Sequence, residues 1–311
     1  MRVVFMGTPE FSVPILQALA DGGYQVVGVF TQPDKPRGRG GKVSVSPVKE
    51  CALERGFPVF QPMKIRADGL EPLRALKPDL CVTAAFGQIL SQAVLDVPPM
   101  GTVNVHTSLL PRHRGAAPVE WTILQGETVT GVTTMFTDAG IDTGDVLLQR
   151  SVDIGPEETA GELTRRLSLL GADLLMETLK RIERNDCPRH PQEEARMTYD
   201  PKVTKEMGLL DFTQTTAQCL NRIRAMDPWP CAYAHVREGV LKVWKAKAAS
   251  GEGAPGTVLC ADNRDGLVIA TGDGAMELCQ VQAPNAKRME ARAFLLGHPI
   301  ETGRLLNEVQ I

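Results

Sequence analysis

One stretch limits the fold more than any other: Gly101 to Gly115, GTVNVHTSLLPRHRG. Val103 and Val105 alternate with Asn104 and His106. Successive side chains on a strand point to opposite faces, so the valines share one face and the amide and imidazole share the other. Ser108-Leu-Leu-Pro111 ends the strand, and Arg112-His113-Arg114-Gly115 makes a compact basic turn. A polar pair at the C-terminal end of an apolar strand stands where open α/β sheets bind ligands. A lone histidine is more often a hydrogen-bonded core residue. Here Asn104 shares its face, and a second polar cluster is centred on Asp142, 36 residues on.

That cluster is Asp138-Ala-Gly-Ile-Asp142-Thr-Gly-Asp145, after the strand-like run GVTTMFT. Alone it would read as a solvated turn. Beside His106 it can deliver a carboxylate to the imidazole. Asn, His and Asp form a coherent set for acyl transfer. The histidine moves a proton, the aspartate fixes the ring and favours its charged form, and the amide donates to a developing oxyanion. No serine or cysteine in the set is placed as a nucleophile, so direct transfer from donor to acceptor is the simpler scheme.

The preceding chain reads as alternating strands and helices. Arg2 to Met6 is an apolar strand, and Gly7-Thr8-Pro9-Glu10 turns into a helix reaching Ala20, with Thr8 as N-cap and Pro9 at the first helical position. Gln25 to Thr31 is the next strand, completing a βαβ opening. A dinucleotide-dependent dehydrogenase is disfavoured because the first turn lacks GxGxxG. Gly40-Gly41-Lys42 is no phosphate-binding loop, since Pro36 and Val43 break the pattern. Asp79 to Ala84 is a buried strand, followed by the apolar loop Ala85 to Leu90, either plain core or one wall of a pocket for a flat ring. Glu157 to Arg184 reads as an amphipathic helix with Leu163, Leu167, Leu170, Leu174 and Leu175 on its core face.

Two regions depart from this pattern. Gln32 to Pro47 holds three prolines, three glycines and the basic residues Lys35, Arg37, Arg39 and Lys42. Such a loop is either a solvated connector or a flexible arm on phosphates. The proline-bearing stretch 187–204 has no clear period and reads as a linker. After it come a helix, Thr216 to Ala225, the tetrapeptide Asp227-Pro-Trp-Pro230, and five short strand candidates separated by turns. That spacing suggests a small OB-like barrel. Lys242, Lys245 and Lys247 flank Trp244, as on an oligonucleotide-binding strand, although one such strand is usually just an exposed face.

With 311 residues the chain is long enough for two cores. We expect residues 1–186 to form the catalytic domain, 187–204 the linker and 205–311 the barrel. A net charge of −3 does not suggest a generic nucleic-acid binder, though it leaves room for a local basic patch. The start MRVVFMG has no cleavable signal pattern, and no apolar run approaches 20 residues, so a cytoplasmic protein with no membrane contact is expected. The seven cysteines include no CxxC spacing and the five histidines no HxxxH, so reduced thiols and no metal are expected.

The motifs VFMGTPEF, VGVFTQPDKPRGRG, AFGQIL, NVHTSLLPRHRGAAP, GIDTGD, DPWP and LKVWKAKA together resemble the methionyl-tRNA formyltransferase family from end to end. Two departures are visible: Thr107 where the family often has Ala or Pro, and His113 where it often has an aromatic residue. The resemblance implies a Rossmann-like, mostly parallel sheet with helices on both faces, followed by the barrel. It implies transfer of the formyl group of 10-formyltetrahydrofolate to the α-amine of methionyl-initiator tRNA, with Asn104, His106 and Asp142 catalytic. Ser108, Leu109, Leu110 and Pro111 would line the folate site, with Phe86, Gly87, Ile89 and Leu90 at the pterin. Arg37, Arg39 and Lys42, with Lys242, Lys245 and Lys247 of the barrel, would bind tRNA at and beside the acceptor stem. The folate is a co-substrate, no cofactor is tightly bound, and a monomer is expected. A formyltransferase for a small amine or nucleotide sugar, or a formyl-folate hydrolase, would share the catalytic trio.

Overall fold

The computed structural model describes residues 1–36, 43–237 and 239–307. The chain divides into two compact units. The first comprises Met1–Gly115, Val129–Val152 and Thr164–Asp200, the second Ala116–Thr128, Asp153–Leu163 and Pro201–Ile311.

The first unit is built on a seven-stranded sheet. Its strands are β1 (Arg2–Gly7), β2 (Gln25–Phe30), β3 (Val59–Phe60), β4 (Leu80–Ala84), β5 (Thr102–His106), β6 (Val129–Phe136) and β7 (Val146–Asp153). The spatial order is β7-β6-β5-β4-β1-β2-β3. β1 pairs in parallel with β2 and β4, β2 with β3, and β4 with β5, whereas β5 and β6 are antiparallel. β4 is buried along its whole length, as a strand covered on both faces must be. Helices α1 (Val13–Asp21), α2 (Pro47–Glu54), α3 (Leu70–Leu76) and α4 (Gln92–Leu95) occupy the connections between the parallel strands.

The chain leaves β1 differently from the expectation. A 3-10 turn at Glu10–Ser12 precedes α1, and Thr8 caps nothing. Its hydroxyl donates to the Phe86 carbonyl at 3.1 Å and accepts the Gln32 N–H at 3.3 Å. Thr8 thus ties together the loops that leave β1, β2 and β4, and this non-local use outweighs its capping propensity.

A long helix covers the valine face of β5. It follows α5 (Pro118–Leu124) in the chain and is α6 (Ala160–Glu183). Gly171 lets it approach, because a Cβ there would lie 2.8 Å from Val105 Cγ1. The Ser168 hydroxyl donates to the Phe11 carbonyl at 2.6 Å, and Thr178 shares a 2.8 Å hydrogen bond with Thr134 of β6. Leu167, Leu174 and Leu175 are buried, as their spacing predicts. With one face of β5 packed this way, Asn104 and His106 are left to the other.

The second unit contains α5, α7 (Thr216–Ala225) and an antiparallel sheet of β8 (Ala232–Val236), β9 (Gly239–Ala249), β10 (Val258–Asp262), β11 (Gly266–Ala270) and β12 (Ala275–Gln282). The order is β8-β9-β12-β11-β10. Met289–Glu290 adds a short strand beside β12 and leads into α8 (Ala291–Leu295). A capping box starts α7, with Thr215 and Gln218 satisfying each other's backbone N–H groups. Residues 303–307 close the sheet. Val258 N–H donates to Arg304 O at 2.8 Å on the β10 side, and Asn307 N–H donates to His235 O at 3.0 Å on the β8 side. The Asn307 side chain accepts from His235 N–H and donates to Leu210 O, both at 2.7 Å. Both edges of the sheet are thereby used, which is how a barrel removes open strand edges.

Asn307→Ala removes two of these bonds and leaves their backbone partners unpaired. We expect a loss of about 1–3 kcal/mol in unfolding free energy, read from urea unfolding followed by tryptophan fluorescence. An unchanged midpoint would mean that the backbone alone holds the closure.

Candidate active site

Asn104 and His106 leave β5 at its C-terminal end, beside the end of β4. Register places Thr83 of β4 opposite Asn104, and the Thr83 hydroxyl donates to Asn104 Oδ1 at 2.8 Å. The amide oxygen is occupied by that bond. The NH2 group, which can only donate, is therefore the end turned away from Thr83.

His106 is 6% exposed, and its Nε2 lies 2.8 Å from the carbonyl oxygen of His113. A carbonyl can only accept, so Nε2 carries the proton. Nδ1 is then the nitrogen that can exchange one. Asp142 Oδ2 lies 3.7 Å from Nδ1, too far for a hydrogen bond. The sequence reading gave Asp142 the task of fixing the ring. In the structure the His113 carbonyl does that, and Asp142 offers its charge. Asp142 Oδ2 is held in turn by the Gly115 N–H at 2.9 Å.

Both supporting turns use left-handed backbone at ordinary residues: φ is 61° at His113 and 54° at Asp142. Such residues cost energy and persist where the surroundings hold them. His113 is held through its N–H, which donates to Thr198 Oγ1 at 2.7 Å, and through Nδ1, 2.7 Å from Asp200 Oδ2. On the Asp142 side, Gln192 Nε2 donates to the carbonyls of Asp142 and Gly144, both at 2.8 Å. Arg114 joins the two turns. Its side chain is 3% exposed, donates to Gln192 Oε1 at 3.0 Å and forms a bidentate pair with Glu194 at 2.7 and 3.1 Å. The guanidinium holds the Glu194 carboxyl below its ordinary pKa. The basic turn is therefore a braced structural element.

Gly115 is required by the brace. Its φ is 116°, and a Cβ there would lie 2.4 Å from the Asp200 carbonyl oxygen, because Arg114–Gly115 pairs as a short parallel ladder with Tyr199–Asp200. The stretch Gln192 to Asp200, which shows no period in the sequence, thus belongs to the site's support. Sequence reasoning missed Thr83, Gln192, Thr198 and Asp200. Only Thr83 carried a local signal, a hydroxyl in the otherwise apolar strand LCVTA.

The folate candidates divide by burial. Phe86 and Leu90 lie in a core cluster with Phe30, Ile65 and Leu73, while Gly87 and Ile89 between them are exposed. Ser108 is fully buried, and its hydroxyl donates to Arg112 O at 2.7 Å, closing the turn. Leu110 packs on Met135 and Val146. Leu109 and Pro111 are half-buried. Phe86, Leu90, Ser108 and Leu110 therefore shape this sheet edge chiefly from beneath, and Gly87 and Ile89 present surface. Arg37, Arg39 and Lys42 lie outside the described residues. Lys242, Lys245 and Lys247 are on β9 in the second unit. β9 carries a bulge between Val243 and Ala246, which shifts the alternation so that Lys245 and Lys247 leave the face of buried Leu241 and Val243.

An imidazole beside a carboxylate, with an amide donor two residues away at the C-terminal edge of a mostly parallel sheet, is an arrangement suited to group transfer. The comparisons agree. The family model described as Formyl transferase matches residues 1–179, and that of the Formyl transferase C-terminal domain matches residues 202–299. A methionyl-tRNA formyltransferase of Ruminiclostridium cellulolyticum is 46% identical over 99% of this chain and 100% of its own. An N-formyltransferase from Helicobacter canadensis, solved with folinic acid and dTDP-3-aminofucose, has the same fold, with a TM-score of 0.68 at 20% identity over 92% of this chain and 99% of its own. HypX from Aquifex aeolicus, solved with tetrahydrofolic acid, superposes with a TM-score of 0.64 at 21% identity, over 98% of this chain but only 50% of its own. The chain belongs to the formyl transferase family, on the methionyl-tRNA formyltransferase branch.

Thr83→Val removes the bond that orients Asn104 while keeping the side-chain shape. It should lower kcat for formyl transfer roughly tenfold, the worth of about one hydrogen bond, with KM for both substrates unchanged. Thr83→Ser should restore the rate. Steady-state kinetics on the three proteins checks this, and an unaltered kcat in the valine variant would remove Thr83 from the argument.

Proposed function

We propose that this chain carries out formyl transfer through the geometry just described. The reaction moves the formyl group of 10-formyltetrahydrofolate to the α-amine of methionyl-initiator tRNA, the step that prepares the initiator for translation. The amine nitrogen attacks the formyl carbon directly. The Asn104 NH2 group donates to the oxyanion that develops. His106 Nδ1 takes the proton leaving the amine, and the nearby Asp142 carboxylate stabilises the imidazolium formed. The bond from the formyl carbon to N10 then breaks, and His106 returns the proton to N10. The products are formyl-methionyl-tRNA and tetrahydrofolate. No step needs a tightly bound cofactor or a covalent enzyme intermediate.

Residues 1–186 carry the chemistry in this reading, and residues 205–311 hold the tRNA beside its acceptor stem. The intervening segment supplies Thr198 and Asp200. The folate lies along Ser108 to Pro111 and the loop from Phe86 to Leu90. Arg37, Arg39 and Lys42 meet the acceptor stem, with Lys242, Lys245 and Lys247 on its flank. The protein acts as a cytoplasmic monomer. No helix among the described residues is long and apolar enough to cross a membrane.

The observation that carries this reading is the His106 ring, with Nε2 pinned by a carbonyl and Nδ1 facing both a carboxylate and the site. Purified protein incubated with 10-formyltetrahydrofolate should formylate methionyl-initiator tRNA, and neither uncharged tRNA nor free methionine should substitute. Folate consumption without formylation would point to a hydrolase instead. Asn104→Ala should lose about 10²–10³ in kcat with an unchanged circular dichroism spectrum. A near-wild-type kcat would end the oxyanion role of Asn104.

Arg39→Ala tests the basic loop. Phosphate contacts position a nucleic acid, so KM for methionyl-tRNA should rise while folate affinity stays the same. An equal loss of folate affinity would place the loop at the folate pocket.

A further inference from the structure

His113 and Asp200 form a pair that the proton-transfer scheme does not use. The two side chains are 4% and 2% exposed, with Nδ1 and Oδ2 2.7 Å apart across 87 residues of chain. A buried carboxylate is costly unless it is paired, so such a pair is seldom incidental. Its location gives it a task. His113 is the residue whose backbone carbonyl accepts the Nε2 proton of His106. That carbonyl belongs to a residue in left-handed backbone, with φ of 61°. The turn is held at both ends of the residue, at its N–H by Thr198 and at its ring by Asp200. Ser108 Oγ lies 3.4 Å from the same carbonyl and 2.7 Å from that of Arg112, so the inner side of the turn is filled as well.

We infer that Asp200 is a positioning residue for the reaction: by anchoring the His113 ring it fixes the carbonyl that holds His106 in its Nε2–H tautomer, leaving Nδ1 free to move the proton. The inference rests on the assignment of His106 as the proton-transferring group. No contact joins Asp200 to the reacting atoms directly. Its influence passes through one side chain and one backbone turn to a carbonyl 2.8 Å from Nε2. A misplacement of about 1 Å far from the chemistry can cost roughly 10²-fold in rate.

The test compares Asp200→Ala, Asp200→Asn and Thr198→Val with the parent chain. Asp200→Asn keeps an acceptor for His113 Nδ1 and should keep most of the activity. Asp200→Ala should lose roughly 10²-fold in kcat at unchanged KM for the folate and the tRNA. Thr198→Val, a milder change on the half-buried side of the turn, should lose a smaller fraction in the same direction, and it keeps the test alive if the alanine variant does not fold. A readout independent of turnover is the tautomer of His106, measured by long-range proton–nitrogen correlation in nitrogen-15-labelled protein and assigned with His106→Asn. The parent should show the Nε2–H pattern, and the alanine and valine variants should show it mixed or lost. Variants that melt earlier yet keep the parent's kcat and tautomer would overturn the inference, since Asp200 would then be structural only. If the tautomer follows Asp200 while the parent forms no formyl-methionyl-tRNA, the positioning stands and the proposed reaction falls.

Discussion

The hydrogen bond from His106 Nε2–H to the His113 carbonyl is the contact on which the rest of the site depends. An imidazole has two chemically similar nitrogens, and a site that uses one must immobilise the other. A carboxylate is the common partner for that purpose. Here a backbone carbonyl takes the role, which leaves the Asp142 carboxylate beside the other nitrogen, Nδ1, at 3.7 Å. At that distance the carboxylate does not compete for the proton. The arrangement has a cost, because His113 must hold left-handed backbone, worth on the order of 1–3 kcal/mol. Thr198, Asp200 and the glycine at position 115 offset it.

A single residue ties both halves of this support together. Gly115 donates its N–H to Asp142 and packs its bare Cα against the backbone of Asp200. The carboxylate and the carbonyl that flank His106 therefore share an anchor. Gln192 adds a second, accepting from Arg114 on one side and donating to the Asp142 and Gly144 carbonyls on the other. Gly144 matters here too, since a Cβ would collide with the Phe136 carbonyl. The glycines of the DTGD and HRG turns are thus fixed by close packing of backbone on backbone.

The sheet and the catalytic face were legible because each rests on a local period. The alternation in VNVH placed two valines inward against α6 and two polar groups outward, and a slip of one residue would have reversed both. The leucines of α6 were equally plain, and five strand candidates in the second unit corresponded to β8 to β12. What was illegible depends on distant partners. Thr8 had the composition of a helix cap, yet its hydroxyl serves a carbonyl 78 residues away. Residues 192 to 200 showed no pattern because contacts 48 to 87 residues back in the chain order them: Asp142, Gly144, Arg114 and His113. Prolines there suggested a connector, and nothing local signals that Asp200 is buried.

Strand β9 presents its lysines in two ways, and they differ in what they offer a nucleic acid. Lys245 is paired with Glu157 at 3.0 Å and Lys247 with Glu277 at 2.9 Å. The carboxylates hold both ammonium groups above the ordinary lysine pKa. Exposed pairs of this kind contribute little, so exchange for a phosphate costs little but also gains little. Lys242 and Arg288 instead flank the Trp244 ring, 5.9 and 5.0 Å from its centroid, and the indole N–H is fixed by Gln282 at 3.0 Å. Cations over an aromatic face can meet a phosphate while the ring supports a base or sugar. Arg288, which lies outside the LKVWKAKA motif, therefore belongs to the same cation–aromatic cluster as Lys242 and Trp244.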